Sequence, residues 1–203
     1  IFTEVMKSNI DDDNKKKFLS EIGWRDFSYN LLFNYPKMTE LPIQSKFIKF
    51  PWLKDKKSLV TWKHGKTGIP IVDAGMKELY EMGWMHNRVR MIVGSFLTKN
   101  LLLHWKEGER WFFDTLFDAD IGSNSAGWQW ISGSGADASP YFRIFNPILQ
   151  GKKFDSKGEY VKKFLPSLNK IPEKFIHSPW EMSIEEQEKY NFKLGRDYPK
   201  PIV

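Results

Sequence analysis

The chain has 203 residues, which is long enough to bury a sizeable core. Its formal net charge of +6 favours a polyanionic partner, but charge alone does not distinguish DNA, RNA and a membrane surface. The chain contains no cysteine, which excludes disulfides, zinc ribbons, thiolate-held iron–sulfur clusters and cysteine nucleophiles. No apolar run approaches the roughly 20 residues that span a bilayer. Nine tryptophans exceed what an ordinary core needs, which indicates stacking surfaces or electronic work; a merely aromatic core is the alternative.

The N-terminal third is predicted to be helical and then irregular. Residues 1–35 have helical spacing, with a polar break at residues 9–17. Inside the break, the acidic run of residues 11–13 followed by lysines suits the start of a helix. Residues 36–66 contain three prolines and little periodicity, so we predict a long irregular connection there.

The middle of the chain alternates between strong and weak helical signals. The spacing predicts a helix over residues 72–80 and the longest helix over residues 85–105, ended by Gly108. A short helix is predicted over residues 111–117. In residues 118–151, small residues and glycines surround aromatic ones, which predicts tight turns or a close approach of the backbone to something else.

The C-terminal part resumes helical patterning over residues 152–176, and the tail after Pro179 is predicted to lie on the surface. Strand signals are almost absent from the whole chain, and no internal repeat is visible. The predicted fold class is therefore all-α.

One candidate group lies on the predicted central helix. Asn87 and Met91 are four residues apart and share a face, with Arg88 and Arg90 beside them. A methionine next to an amide and two arginines suits a partner that is partly apolar and partly polar, such as a nucleobase. The alternative is that both arginines are solvated and Met91 belongs to the core.

A second group is acidic. Asp118 and Asp120, followed by Asn124, lie in the glycine-rich and aromatic-rich segment, where poorly solvated carboxylates need cationic or N–H partners. Arg90 is a suitable partner for Asp118, because a guanidinium can pair with a carboxylate through two hydrogen bonds. The alternative is that both acids only cap the following turn.

Aromatic and acidic residues form two further candidates. Trp128 and Trp130 are flanked by small residues and could serve as stacking platforms for bases, or could pack in the core. Glu21, Trp24 and Arg25 can line one edge of the first long helix, although an isolated helical acid is usually a surface residue. These patterns alone indicate an aromatic, basic, all-α protein that binds bases, and they name no reaction.

Several long motifs resemble, in the right order, those of the photolyase/cryptochrome family: GKTGIPIVDAGM, GWMHNRVRMIVGSFLTKNLL, WKEGERWF, DADIGSNSAGWQW and GADASPYFRIFNPILQGKKFD. The similarity runs from about Phe18 to the C-terminus. The C-terminal domain of that family is an all-α bundle that holds FAD in a bent conformation. The resemblance implies that residues 1–203 form such a FAD-binding and lesion-binding helical domain.

The resemblance also implies the cofactor contacts. Asp118 and Asp120 would hydrogen-bond the flavin ring and ribityl region, with Arg90 paired to Asp118 and Asn87 also among the cofactor-binding residues. Asn124 would face flavin N5. Plant cryptochromes carry aspartate at the position of Asn124, so the asparagine favours repair over signalling.

The lesion class follows from the same comparison of motifs. Enzymes that repair (6-4) photoproducts carry histidine at the positions of Asn87 and Met91, so the cyclobutane pyrimidine dimer is the expected substrate. Glu21 matches the acid that hydrogen-bonds the dimer, and together with Asn87, Met91 and Asn124 it forms the predicted catalytic set. Trp24 and Trp130 match the indoles that flank the flipped lesion.

DNA contacts and electron transfer complete the implied machinery. Damaged DNA is the expected partner, and binding should depend on salt. The implied phosphate contacts are Arg88 and Arg143, together with Arg25, Gln150 and Lys153. The implied electron-transfer chain runs to the flavin from the surface through Trp52, Trp105 and Trp128.

The chain is expected to lack some segments that the family carries, and two other functions remain as alternatives. We expect a fragment that lacks the antenna α/β domain and the FAD phosphate cradle upstream of Ile1, so that FAD is weakly held or absent and the isolated chain is inactive or nearly so. We expect a monomeric, cytoplasmic protein without a metal or a membrane partner. The rivals are a cryptochrome-like photoreceptor and a flavin-free nucleic-acid-binding helical module, whose bundle would resemble that of the primase large subunit.

Overall fold

Helices form nearly all the regular structure in the computed structural model, which describes residues 1–140 and 143–203. The α-helices are α1 (Phe2–Lys7), α2 (Asp12–Asn34), α3 (Lys56–Lys63), α4 (Pro70–Met82), α5 (Asn87–Ser95), α6 (Trp105–Thr115), α7 (Ile121–Ser132), α8 (Pro147–Phe154), α9 (Glu159–Phe164) and α10 (Ile184–Lys189). Among the described residues, β-type pairing is limited to isolated bridges. The predicted all-α class is confirmed.

The core is centred on α4, whose residues are buried almost continuously from Pro70 to Leu79. Pro70 suits the first turn because its missing N–H has no helical partner there, and Gly83 ends the helix with φ +63°. A Cβ on Gly75 would lie 2.4 Å from Val89, so the glycine allows α4 and α5 to approach closely. Helices α3, α8 and α9 also contact α4.

The N-terminal prediction of two helical stretches is confirmed, although the break between them is short. Asp11 caps α2, because its carboxylate accepts a hydrogen bond from the backbone N–H of Asn14 at 3.2 Å. The predicted irregular connection over residues 36–66 is wrong in its last part, which forms α3. Burial of Trp62, whose indole donates to the carbonyl of Val93, stabilises this short helix.

The long helix predicted over residues 85–105 is shorter: it comprises α5 and a π-type turn and ends at residue 100, and α6 begins at Trp105. A π-type turn at Phe96–Asn100 ends α5, and Leu102 has φ +51° before α6 begins. Gly108 does not end a helix: it lies inside α6, where a Cβ would approach the Trp128 ring to 2.1 Å. The glycine therefore serves the packing of an indole. The short helix predicted over residues 111–117 is part of α6.

Of the two interpretations of residues 118–151, tight turns are wrong for residues 121–132 and 147–151, which belong to α7 and α8. Asp120 caps α7, and Gly122 leaves room for the ring of Tyr29 on α2. Packing of α7 against both α2 and α6 overrides its low intrinsic helix propensity.

The predicted surface location of the tail after Pro179 holds for most of its residues but is wrong at three anchoring positions. Met182, Phe192 and Tyr198 are buried, and the N–H of Ile202 donates to the carbonyl of Thr67. The C-terminal segment is therefore part of the core. The helical patterning predicted over residues 152–176 corresponds to the end of α8, to α9 and to short 3₁₀ turns.

Candidate active site

A cavity of about 720 Å³ opens beside α2, α5 and α7. This volume lies within the range of roughly 300–1,000 Å³ that is usual for cofactor and small-molecule sites. The predicted site residues that line the cavity are Glu21, Trp24, Arg25, Asn87, Arg90, Met91, Asp118, Asp120, Asn124, Trp128 and Trp130. Residues from three separate parts of the sequence thus share one cavity.

The predicted partners Arg90 and Asp118 are in contact at one end of the cavity. The guanidinium Nη2 of Arg90 lies 2.8 Å from the carboxylate of Asp118, and its Nε donates to the carbonyl of Met85 at 2.6 Å. The arginine is therefore held at two points, and its charge offsets that of the carboxylate.

Asp120 combines both roles that the sequence left open. Its carboxylate accepts from the Ser123 N–H at 2.7 Å, which caps α7, and from the Tyr29 hydroxyl at 2.6 Å, and it also lines the cavity. Burial acts to raise the pKa of Asp120, but these hydrogen bonds outweigh it and hold the pKa below its ordinary value. The hydrogen bond between the Tyr29 hydroxyl and Asp120 raises the pKa of Tyr29. The cavity wall thus contains an oriented, ionised carboxylate.

Asn124 has a fixed amide orientation. Its Nδ2 donates to the backbone carbonyl of Glu109 at 2.9 Å, and the buried carboxylate of Glu109 accepts from the hydroxyl of Ser125. Because the amino group is engaged behind the cavity wall, the carbonyl oxygen of Asn124 is the atom that can accept a hydrogen bond from a ligand.

Aromatic rings form two sides of the cavity. Trp24 on α2 is 52% exposed and meets the edge of Phe27, with ring centroids 5.8 Å apart. Trp130 on α7 is partly buried and lies 6.2 Å from the ring of Phe145. Flat apolar faces next to hydrogen-bonding groups can stack on a base or a flavin ring.

The three tryptophans of the implied electron-transfer chain differ in burial and in their relation to the cavity. Trp128 lines the cavity and is buried, and Trp105 is fully buried. Trp52 is partly buried, not fully at the surface, because the Phe50 ring covers it at 4.4 Å. The ring of His104 lies 5.4 Å from Trp52 and 5.5 Å from Trp105, so an imidazole contacts both indoles.

The remaining predicted DNA contacts do not line the cavity. They are Arg88, Arg143, Gln150 and Lys153. Arg88 and Lys153 both lie over the ring of Phe154, and Arg143 lies 6.0 Å from the ring of Phe145. The Oε1 atom of Gln150 is buried without a hydrogen-bond partner among the described residues, and the residue as a whole is partly exposed.

Sequence reasoning missed Tyr29, Glu109, Gly127 and Gln129. Gly127 has no atom within 4 Å of its ideal Cβ position and therefore leaves the cavity open beside α7. The amide of Gln129 bonds the carbonyls of Met38 and Leu41 and the N–H of Ile43, which ties the irregular connection to α7. Only Gly127 had a local signal in the sequence, because it lies three residues after the predicted site residue Asn124 and therefore near the same helix face. The other contacts join segments that are distant in the sequence.

The described residues contain neither a cluster of metal ligands nor a helix able to span a membrane. Within residues 1–140 and 143–203, no three histidine, aspartate or glutamate side chains lie together in a way that could hold a metal ion. In the same part of the chain, no helix combines the length and the apolar character needed to cross a membrane.

Known sequences similar to this chain include photolyases and cryptochromes. The family described as the FAD binding domain of DNA photolyase matches residues 18–203. The chain is 53% identical over 201 residues to the deoxyribodipyrimidine photo-lyase of Agrobacterium fabrum, covering 99% of this chain and 42% of that protein. It is 44% identical over 197 residues to cryptochrome-1 of Sinapis alba, covering 97% of this chain and 32% of that protein. The chain thus spans less than half the length of these relatives.

Solved structures show the same two kinds of relative. A class III photolyase from Agrobacterium tumefaciens matches with a TM-score of 0.93 at 54% identity, covering 96% of this chain and 40% of that one. A cryptochrome from Synechocystis matches with a TM-score of 0.92 at 36% identity, covering 100% of this chain and 42% of that one. Overall likeness to both kinds does not separate repair from photoreception, so the distinction depends on individual site residues.

Proposed function

The chain belongs to the family of photolyase FAD-binding domains, and we propose that it forms the flavin-binding and lesion-binding part of an enzyme that repairs cyclobutane pyrimidine dimers in DNA under light. The observation that carries this proposal is the cavity that brings the Arg90–Asp118 pair, Asn124 and two tryptophan faces together. In this proposal the cavity takes the flavin and the flipped dimer side by side.

The described residues fit a flavin. Asn124 offers an oriented carbonyl oxygen, Asp118 and Asp120 offer carboxylate acceptors for ring N–H and ribityl hydroxyl groups, and Gly127 leaves space beside α7. When bound, FAD supplies the light-driven electron transfer. The protein binds and orients the cofactor, and the buried Trp128 beside the cavity excludes water.

Asn124 supports repair over photoreception. Its amino group is committed to Glu109, so it presents an acceptor and no acidic proton to a ring nitrogen. A ring N–H facing this oxygen keeps its proton, whereas an aspartic acid at the same position could donate one.

Asn87 and Met91 support a cyclobutane dimer over a (6-4) photoproduct. They line the cavity on α5 and bring no group that titrates near neutral pH. The neighbouring His86 does not line the cavity, and its Nδ1 accepts from the N–H of Arg88 as the cap of α5. In this proposal Glu21 hydrogen-bonds the dimer, and Trp24 and Trp130 stack against it.

The test uses the full-length protein that contains this chain, loaded with FAD and reduced. It is mixed with an oligonucleotide that carries one thymine cyclobutane dimer, illuminated with blue light, and assayed by chromatography for restored thymines. We expect dimer loss in the light only, and none from a matched (6-4) oligonucleotide. Bound flavin without dimer loss would favour the photoreceptor, and DNA binding without any flavin would favour the helical nucleic-acid module.

A further inference from the structure

The ring of Phe154, at the end of α8, has two cations over it. The guanidinium of Arg88 lies 4.5 Å from the ring centroid, and the ammonium of Lys153 lies 5.2 Å from it. The ring is 51% exposed, Lys153 is also exposed, and Arg88 is partly buried. Neither cation makes an ion pair within residues 1–140 and 143–203.

The backbone that carries this ring is fixed on both sides. Before it, Gly151 packs against the buried His177, where a Cβ would lie 2.4 Å from Nδ1. After it, the carboxylate of Asp155 accepts from the N–H groups of Tyr160 and Val161, while the carbonyl of Asp155 bonds Nε2 of His177 at 2.6 Å. Phe154 is therefore an exposed ring on an immobilised turn.

Two cations on one exposed ring repel each other, so the arrangement is favourable only when something offsets their charge. The negative face of the ring offsets part of it. An anion that contacts both cations would offset the rest, and stacking leaves the N–H edge of Arg88 free to bind an oxygen pair.

We propose that Phe154 is a positioning residue that holds Arg88 and Lys153 together toward one stretch of the DNA phosphodiester backbone. This proposal rests on the DNA binding in the proposed function. The ring touches no base and no reacting atom, so it acts only through the two cations. It joins a side chain of α5 to one of α8 and thereby sets their spacing before DNA arrives.

The experiment measures DNA binding by fluorescence anisotropy. The labelled probe is a duplex with one thymine cyclobutane dimer, its undamaged copy is the second probe, and the salt concentration is varied. We compare the wild-type protein with Phe154→Leu, which keeps an apolar side chain, Phe154→Tyr, which keeps the ring, Arg88→Ala, and the double variant Arg88→Ala/Phe154→Leu. Tyr190→Leu is the control, because it removes a ring that also has a lysine over it, Lys189, at the end of α10.

We expect Phe154→Leu to weaken binding to both probes about two- to fivefold at low salt, as expected for a surface cation–π contact. The slope of log affinity against log salt should fall by about 0.9, the value for one lost phosphate contact. Phe154→Tyr and Tyr190→Leu should match wild type. The double variant should lose less affinity than the sum of the two single losses, because Arg88, one of the two cations through which the ring acts, is already absent.

Two results would overturn the proposal. If wild type binds DNA but Phe154→Leu has an unchanged affinity and salt slope, the positioning role is wrong while the proposed function stands. If Phe154→Leu adds its full effect to that of Arg88→Ala, the ring does not position Arg88 and the joint holding of the two cations is wrong. Failure of wild type to bind either probe would instead remove the DNA-binding premise. Circular dichroism and denaturation of each variant separate these outcomes from loss of folding.

Discussion

The long helix α2 and the C-terminal segment of residues 171–203 contribute to the protein in opposite ways. Among the 23 residues of α2, only Ser28 and Leu31 are buried. The C-terminal segment has only the six-residue α10 as regular α-helix, yet it buries side chains throughout its length. The buried residues are Ile171, Phe175, Ile176, His177, Ser178, Pro179, Met182, Phe192 and Tyr198.

This difference shows that regular secondary structure and contribution to the core are separate properties. Exposed side chains on α2 are available to the cavity, where Glu21, Trp24 and Arg25 lie. The C-terminal segment contributes no residue to the cavity lining and instead packs against α4 and α8 through Tyr198 and His177. Burial lowers the pKa of His177, so its packed form is the neutral imidazole. Three substitutions test this contrast by their effects on stability.

The largest effect is expected at Asp73 on α4. Its carboxylate accepts from the N–H and hydroxyl of Thr67, from the N–H of Gly68 at 2.9 Å and from the hydroxyl of Tyr198 at 2.6 Å. Asp73→Ala leaves these buried donors unpaired, and each stranded donor costs about 1–3 kcal/mol. We expect the free energy of unfolding to fall by about 3–5 kcal/mol, measured by urea denaturation and circular dichroism.

Two control variants define this result. Asp114→Ala removes an exposed carboxylate from α6 and should change stability by less than about 0.5 kcal/mol. Tyr198→Phe removes a single donor and should cost about 1–2 kcal/mol, which remains measurable even if Asp73→Ala does not fold. Equal stability of Tyr198→Phe and wild type would mean that the C-terminal segment is not fastened through this hydrogen bond.

A smaller loss is expected at Gly151 on α8. Gly151→Ala would push a Cβ into the imidazole of His177, at 2.4 Å from Nδ1, and the neighbouring backbone is fixed by Asp155. Overpacking of this kind costs about 1–3 kcal/mol, more than the gain in helix propensity from alanine. The midpoint of urea unfolding should fall without a change in the denaturant slope. An unchanged or higher midpoint would show that the C-terminal segment yields easily at this contact.

Local signals explain which parts of the fold could be predicted. The start of α2 follows from Asp11 and the acids after it, and the start of α4 follows from Pro70, because caps and first-turn residues act over one helical turn. The failures lie where partners are distant in sequence. Gly108 indicates a helix end until the Trp128 ring is seen against it, and α7 looks irregular until its packing against α2 is known.

In the site, too, local motifs could be predicted and contacts between distant segments could not. Eleven of the residues that line the cavity were predicted, because a family resemblance carries residue identities into a known arrangement. The motifs did not reveal that Glu109 orients Asn124, that His104 contacts both Trp52 and Trp105, or that Tyr29 bonds Asp120. Each of these contacts depends on the relative placement of two elements, which spacing along the chain does not encode.

The smallest effect, with the opposite sign, is expected at Gly23 on α2. No atom lies within 4 Å of its ideal Cβ position, so an added methyl group meets no neighbour. Gly23→Ala should raise the free energy of unfolding by about 0.5–1 kcal/mol, because alanine reduces the entropy lost when this helical position is ordered. The same substitution at Gly151 should lower it, and this pair of signs separates an open helix from a packed one in one unfolding experiment. Destabilisation by both alanines would mean that α2 is packed as closely as the C-terminal segment, and the contrast between the two regions would be lost.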